Sequence, residues 1–160
     1  MEKAENVAEN GGENTQEKRY FAKVLWGGLL KSRKSAALPG AKIYPPTLTN
    51  SDLANIKIAK EMGVTGVMQP FVRDHSDLEC VKEALREAGA EDIRLFAKIE
   101  NMDGVRKLEK LLPAADEIVI ARGDLGNAVH LWDLPGVQRQ ISEKCRAAGK
   151  PFMVVTQMLA

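Results

Sequence analysis

The sequence predicts an α/β fold: part of a (β/α)8 barrel of the TIM type, with about four to five parallel strands and helices packed outside them. Three observations lead there. Four β-rich runs alternate with helical patterns over short connections, and only a crossover helix lets consecutive strands run parallel. The runs are almost continuously apolar, as strands buried on both faces are. No GxGxxG follows an early strand, so a dinucleotide fold has little support. A complete barrel takes about 250 residues. This chain has 160 and ends at Ala160 directly after a strand, so it reads as a piece of a barrel.

Met1 to Glu17 is rich in Glu, Asn and Gly and almost empty of large apolar side chains. Such a stretch buries too little surface to offset its ordering entropy. Residues 1–19 are therefore expected to be a disordered leader, and residues 20–160 a partial barrel domain. An extended piece is expected at 35–43, through Leu38-Pro39-Gly40, and strands at 64–72, 93–99, 117–122 and 151–156. Thr49-x-x-Asp52 and Ser76-x-x-Glu79 fit the capping box, in which side chains satisfy orphan N–H groups of a first helical turn. The first opens a helix with an apolar face of Leu53, Ile56 and Ala59, stopped by Gly63; the second opens one bearing Leu78, Val81, Leu85 and Ala88, stopped by Gly89. Val105, Leu108 and Leu112 mark a third helix before Pro113. Val137, Ile141, Cys145 and Ala148 mark the last, with Pro135 near its start and Gly149 at its end.

The bulk numbers describe an ordinary globular chain, 44% hydrophobic and 28% charged. Its formal net charge of +1 supplies no field for nucleic acid or an anionic membrane. No apolar run approaches the roughly 20 residues of a membrane span. Cys80 and Cys145 form neither a CxxC pair nor a zinc site, and two distant thiols fit a reduced, cytoplasmic protein better than a disulfide scaffold.

In parallel βα folds, function gathers at the C-terminal ends of strands. Those ends read Pro70-Phe71-Val72-Arg73, Lys98-Ile99-Glu100-Asn101, Arg122-Gly123-Asp124-Leu125-Gly126 and Thr156-Gln157. Polar groups appear at each, after almost wholly apolar strands. Lys98 and Glu100 are two residues apart and share one face of an extended strand. Asp124 lies just past the next strand. Two carboxylates without a His or Cys partner suit a hard cation such as Mg²⁺. A lysine beside it suits an anionic substrate. Gly123 and Gly126 let the backbone turn around Asp124 with N–H groups exposed, and these could hold a carboxylate. Thr156 offers a hydroxyl for hydrogen bonding or proton relay. On spacing alone, a solvated ion pair and an ordinary Gly-Asp-Leu-Gly turn stay open as the alternative.

Ala97-Lys98-Ile99-Glu100-Asn101 with Gly104-Val105 resembles a segment of the pyruvate kinase family. So do Ala121-Arg122-Gly123-Asp124-Leu125-Gly126, Gly149-Lys150-Pro151 and Thr156-Gln157-Met158-Leu159, with Phe71-Val72-Arg73, Leu38-Pro39-Gly40 and Leu48-Thr49-x-x-Asp52 as further stations in the same order. The likeness runs from about residue 24 to residue 160. Residues 63–68 and 152–156 look most like a bacterial subgroup that lacks the lid domain. The resemblance implies phosphoryl transfer between phosphoenolpyruvate and ADP, giving pyruvate and ATP, as in glycolysis. It further implies Mg²⁺ or Mn²⁺, K⁺ in the full-length family, and a homo-oligomer. By motif position Lys98, Arg122 and Thr156 are the catalytic candidates, with Lys98 steadying the phosphoryl group and the enolate oxygen. Glu100 and Asp124 would hold the metal; Gly123 and Asp124 amides with Thr156 would bind the substrate carboxylate.

There are departures from the family pattern. Pro70 stands where the family usually has Ser, and Asn127-Ala128-Val129-His130 replaces Val-Glu-Ile-Pro. The early strands, which bring the monovalent-cation ligands and much of the nucleotide site, are absent from this stretch, so the chain alone is expected to be inactive. A Mg²⁺-dependent lyase or aldolase acting on 2-oxo acids, and a non-catalytic remnant, are the competing readings. His75 and His130 lack partners at ligand spacing. Cys145 falls on an apolar stripe and reads as core. Lys31, Arg33 and Lys34 read as a solvated face.

Overall fold

The computed structural model describes residues 23–29, 31–33, 45–156 and 158. The expected leader, the extended piece at 35–43, Lys34 and Gln157 lie outside the described residues. Residues 23–29 and 31–33 form no helix or strand and are exposed throughout, including Lys31 and Arg33. Among the described residues, every helix and strand falls in the second of the chain's two units, Ala37–Ala160.

The order is α1 (Asn50–Ala59), β1 (Gly66–Gln69), α2 (His75–Glu87), β2 (Arg94–Ile99), α3 (Met102–Arg106), α4 (Leu108–Leu111), β3 (Glu117–Ala121), α5 (Arg122–Ala128), α6 (Leu134–Ala147) and β4 (Phe152–Val155). The strands form one parallel sheet in the order β1-β2-β3-β4, each joined to the next through helix. Gln69 pairs with Ala97, Ile99 with Ile120, and Ala121 with Val155, so the C-terminal ends line up along one edge. This is the wall of a barrel, as expected.

Each strand is shorter than its apolar run; Phe71 and Thr156 turn left-handed after β1 and β4, and Arg122 enters α5 after β3. Burial on both faces holds only for β3, where Ile118 through Ala121 are buried. β2 alternates instead, with Leu95, Ala97 and Ile99 buried and Arg94, Phe96 and Lys98 not. The buried parity meets the helices: Leu95, Ala97, Ile99, Ile118 and Ile120 pack with Leu78, Val81, Leu85, Leu108, Leu111, Ile141 and Cys145 in one core. Fully burying each large aliphatic contributes about 1.5–3 kcal/mol. The opposite parity carries Phe96, Lys98 and Val119 on what would be the inner face of the barrel.

Thr49 caps α1 through the expected box with Asp52. The second box differs: α2 starts at His75, capped by Asp74 with Asp77 at the third helical position, rather than by Ser76 with Glu79. Asp77 wins because Arg73 and Thr47 bind it as well. Gly89 (φ 64°) and Gly149 (φ 61°) close α2 and α6 in left-handed conformations that cost glycine no Cβ clash. The single helix expected around Val105, Leu108 and Leu112 is broken into α3 and α4 at Lys107, whose φ of −98° and ψ of 10° interrupt the helical path.

Candidate functional site

At the end of β2 the Lys98 ammonium lies 2.7 Å from Glu100 Oε1. The Glu100 side chain is completely buried, whereas that of Lys98 keeps 26% of its surface in solvent. Glu100 Oε2 accepts the backbone N–H of Phe71 at 2.7 Å. Oε1 has the ammonium beside it but no donor aligned as a hydrogen bond, so the contact there is one of charge alone. Burying a carboxylate is costly unless opposite charge and donors compensate. Here the compensation is one lysine and one amide, and Oε1 retains lone pairs for another cation.

Residues the sequence reading left without a role hold this corner together. Asn101 caps α3 by accepting the Gly104 N–H at 2.9 Å, and its Nδ2 donates to Val72 O at 3.1 Å. A Cβ on Gly104 would come within 2.6 Å of Val72 O, so only glycine allows the approach. The Asn and Gly of this motif thus lock the end of β2 to the loop after β1. An Asn three residues before a Gly is the N-cap signal that could have revealed it.

The loop after β1 is anchored a second time. Asp77 accepts the Arg73 backbone N–H at 2.8 Å, the Arg73 guanidinium at 2.6 and 3.2 Å, and the Thr47 hydroxyl at 2.7 Å. Its burial opposes ionisation, but the hydrogen bonds from Arg73 and Thr47 outweigh it and hold the carboxyl at about 2. Arg73, a strand-end residue, is therefore engaged in this anchor.

After β3 the structure corrects one expectation. Residues 122–128 are not a turn but the short helix α5, which starts directly where the strand ends. Asp124 sits in its first turn and is exposed. First-turn N–H groups of a helix have no intrahelical acceptor. One is engaged: Gly123 N–H donates to Thr156 Oγ1 at 3.1 Å. Thr156 follows β4 in a left-handed conformation, φ 63°. Arg122 contacts Met158 Sδ at 3.9 Å, and its buried Nε has no hydrogen-bond partner.

The parallel register thus aligns along one sheet edge Lys98 on β2 and Glu100 just after it, Arg122, Gly123 and Asp124 after β3, and Thr156 after β4. Among the described residues no three His, Cys, Asp or Glu side chains cluster as a metal cage. Two carboxylates at neighbouring strand ends, one with a buried oxygen that accepts no hydrogen bond, fit a cation that takes its remaining ligands from water and substrate. His75 is exposed near Glu79 and His130 stacks on Trp132, their ring centroids 4.5 Å apart. Cys80 is exposed, and Cys145 is core, its thiol pKa pushed up by burial against a smaller opposing effect of Lys150. Among the described residues no helix is long and apolar enough to cross a membrane.

The family model for the pyruvate kinase barrel domain matches residues 10–160. The chain is 37% identical to a pyruvate kinase of Bacillus licheniformis over 146 residues, 91% of this chain and 25% of that protein. It is 39% identical to a pyruvate kinase of Geobacillus stearothermophilus over 136 residues, covering 85% of this chain and 23% of that one. It is also 39% identical to pyruvate kinase PKLR of Homo sapiens over 133 residues, 83% and 23% respectively. The chain spans about a quarter of the length of these curated relatives. With this match and its four-stranded wall of a parallel barrel, the chain belongs to the pyruvate kinase family, as a stretch of that family's barrel domain.

Proposed function

We propose that the strand ends of this chain form the phosphoryl-handling part of an enzyme that moves a phosphoryl group between phosphoenolpyruvate and ADP. The observation that carries the proposal is the buried Glu100 carboxylate, held by Phe71 N–H and Lys98 while Oε1 accepts no hydrogen bond. Glu100 and Asp124 would hold Mg²⁺ or Mn²⁺, which when bound polarises the substrate oxygens and offsets their charge.

Lys98 would place its ammonium against the phosphoryl group and the enolate oxygen, where negative charge develops. Thr156 and the first-turn amides of α5 would hold the substrate carboxylate. For that, the Gly123 N–H exchanges its bond to Thr156 Oγ1 for one to the ligand. Arg122 would add positive charge beside them. Phosphoryl transfer asks little covalent work of a protein, so positioning and charge neutralisation are the mechanism. The nucleotide, K⁺ and assembly into a homo-oligomer belong to the same proposal, as does a cytoplasmic setting. The test is Mn²⁺ binding by Glu100→Gln and Asp124→Asn. Both should weaken it sharply, and unchanged affinity in both variants would refute the assignment.

A further inference from the structure

Among the described residues of the second unit, two non-glycine residues have left-handed backbones, Phe71 at φ 51° and Thr156 at φ 63°. Both follow the C-terminal end of a strand. L side chains avoid this region because Cβ crowds the neighbouring carbonyl, and such strain persists only where the surroundings enforce it. Packing of the Phe71 ring does not explain it, since the residue is 56% exposed. Pro70 followed by a positive φ is the residue order of a type II turn, whose second central position ordinarily calls for glycine. What the turn accomplishes lies at its N–H, which reaches Glu100 Oε2 at 2.7 Å.

We propose that Phe71 is a positioning residue for Glu100. The Pro70-Phe71 turn presents a backbone amide that commits Oε2, leaving Oε1, buried beside Lys98 and accepting no hydrogen bond, as the oxygen that would take a divalent cation. Pro70 then has a purpose of its own: its fixed φ organises the turn before any ligand arrives. The inference rests on reading Glu100 as a cation ligand and adds the group that aims it. Groups that orient a metal ligand through its second oxygen or nitrogen typically change metal affinity by about 10–100-fold when lost.

The experiment measures Mn²⁺ affinity of the chain by electron paramagnetic resonance, alongside unfolding without metal. An ester in place of the amide at Phe71, made with phenyllactic acid, removes the donor but keeps the ring. It should weaken Mn²⁺ about tenfold or more. Phe71→Gly and Phe71→Asn, which tolerate positive φ, should bind nearly as the parent does, and Phe71→Val should bind poorly. The ester covers the case in which Phe71→Val does not fold. Retention by Phe71→Val with loss in Phe71→Gly would assign the role to the side chain and overturn the inference. So would an ester variant with parental affinity while Glu100→Gln weakens binding, which sinks the inference and leaves the ligand reading intact. If Glu100→Gln itself binds Mn²⁺ unchanged, the ligand reading fails. The Phe71 amide proton then decides the positioning role: it should resonate downfield and move upfield in Glu100→Gln, and no movement would overturn the role.

Discussion

Asp77→Asn removes one charge from the anchor that fixes the loop after β1, and the size of its effect follows from the geometry. The side chain is 5% exposed and accepts bonds from Arg73 N–H, the Arg73 guanidinium and the Thr47 hydroxyl. Those bonds hold its pKa at about 2, against about 4 for an unfolded chain. A group whose pKa is lower in the folded state stabilises that state above the unfolded value, and the contribution is lost as pH falls through the folded one. Nearly two pKa units correspond to about 2–2.5 kcal/mol at neutral pH. About half of that remains at pH 3 and almost none below pH 2. Asparagine keeps an acceptor but not the charge, so its deficit against the parent should be about 2 kcal/mol at pH 7 and about 1 kcal/mol at pH 3. Urea unfolding of both proteins at the two pH values measures this, and the difference cancels titrations they share. An equal deficit at both pH values, or none at pH 7, would refute the electrostatic account.

Gly104→Ala should destabilise by about 1–3 kcal/mol, because its Cβ meets Val72 O at 2.6 Å and backbone must shift; thermal unfolding reads it. Leu108→Ala, at a fully buried core position, should cost about 2–5 kcal/mol by the same assay. In a full-length protein carrying this stretch, Lys98→Met should reduce kcat by about 100-fold or more while KM for phosphoenolpyruvate changes little, since its charge matters most where charge develops. Near-normal turnover would make Lys98 a structural ion pair. The 160-residue chain assayed alone with Mg²⁺, K⁺, ADP and phosphoenolpyruvate should give no turnover; activity that copurifies with it and vanishes in Lys98→Met would overturn this expectation. Cys80 should react with a thiol reagent at pH 8 well before Cys145, whose thiol is buried and whose pKa is raised, as peptide mapping of the labelled chain would show.

Much of the architecture is legible along the chain because its signals are local. Apolar runs, Gly89 and Gly149 as helix stops, Pro135 at a helix start and the Thr49–Asp52 cap each need only near neighbours in sequence. Their alternation suffices for parallel strands with outer helices, and the polar strand ends of Lys98, Glu100, Asp124 and Thr156 stand out against apolar strands. Tertiary structure decided what depends on partners far away in sequence. Asp74 and Asp77 displaced Ser76 and Glu79 as the cap of α2 because Thr47 and Arg73 supply extra donors. The Gly-Asp-Leu-Gly segment became helix, and the Gly123 N–H found its acceptor on Thr156, 33 residues away. Phe71 took a left-handed conformation at a turn position that ordinarily calls for glycine, and its amide meets Glu100, 29 residues on. Periodicity reports which face a residue occupies; only the folded chain brings a buried carboxylate and the amide that satisfies it to within 2.7 Å.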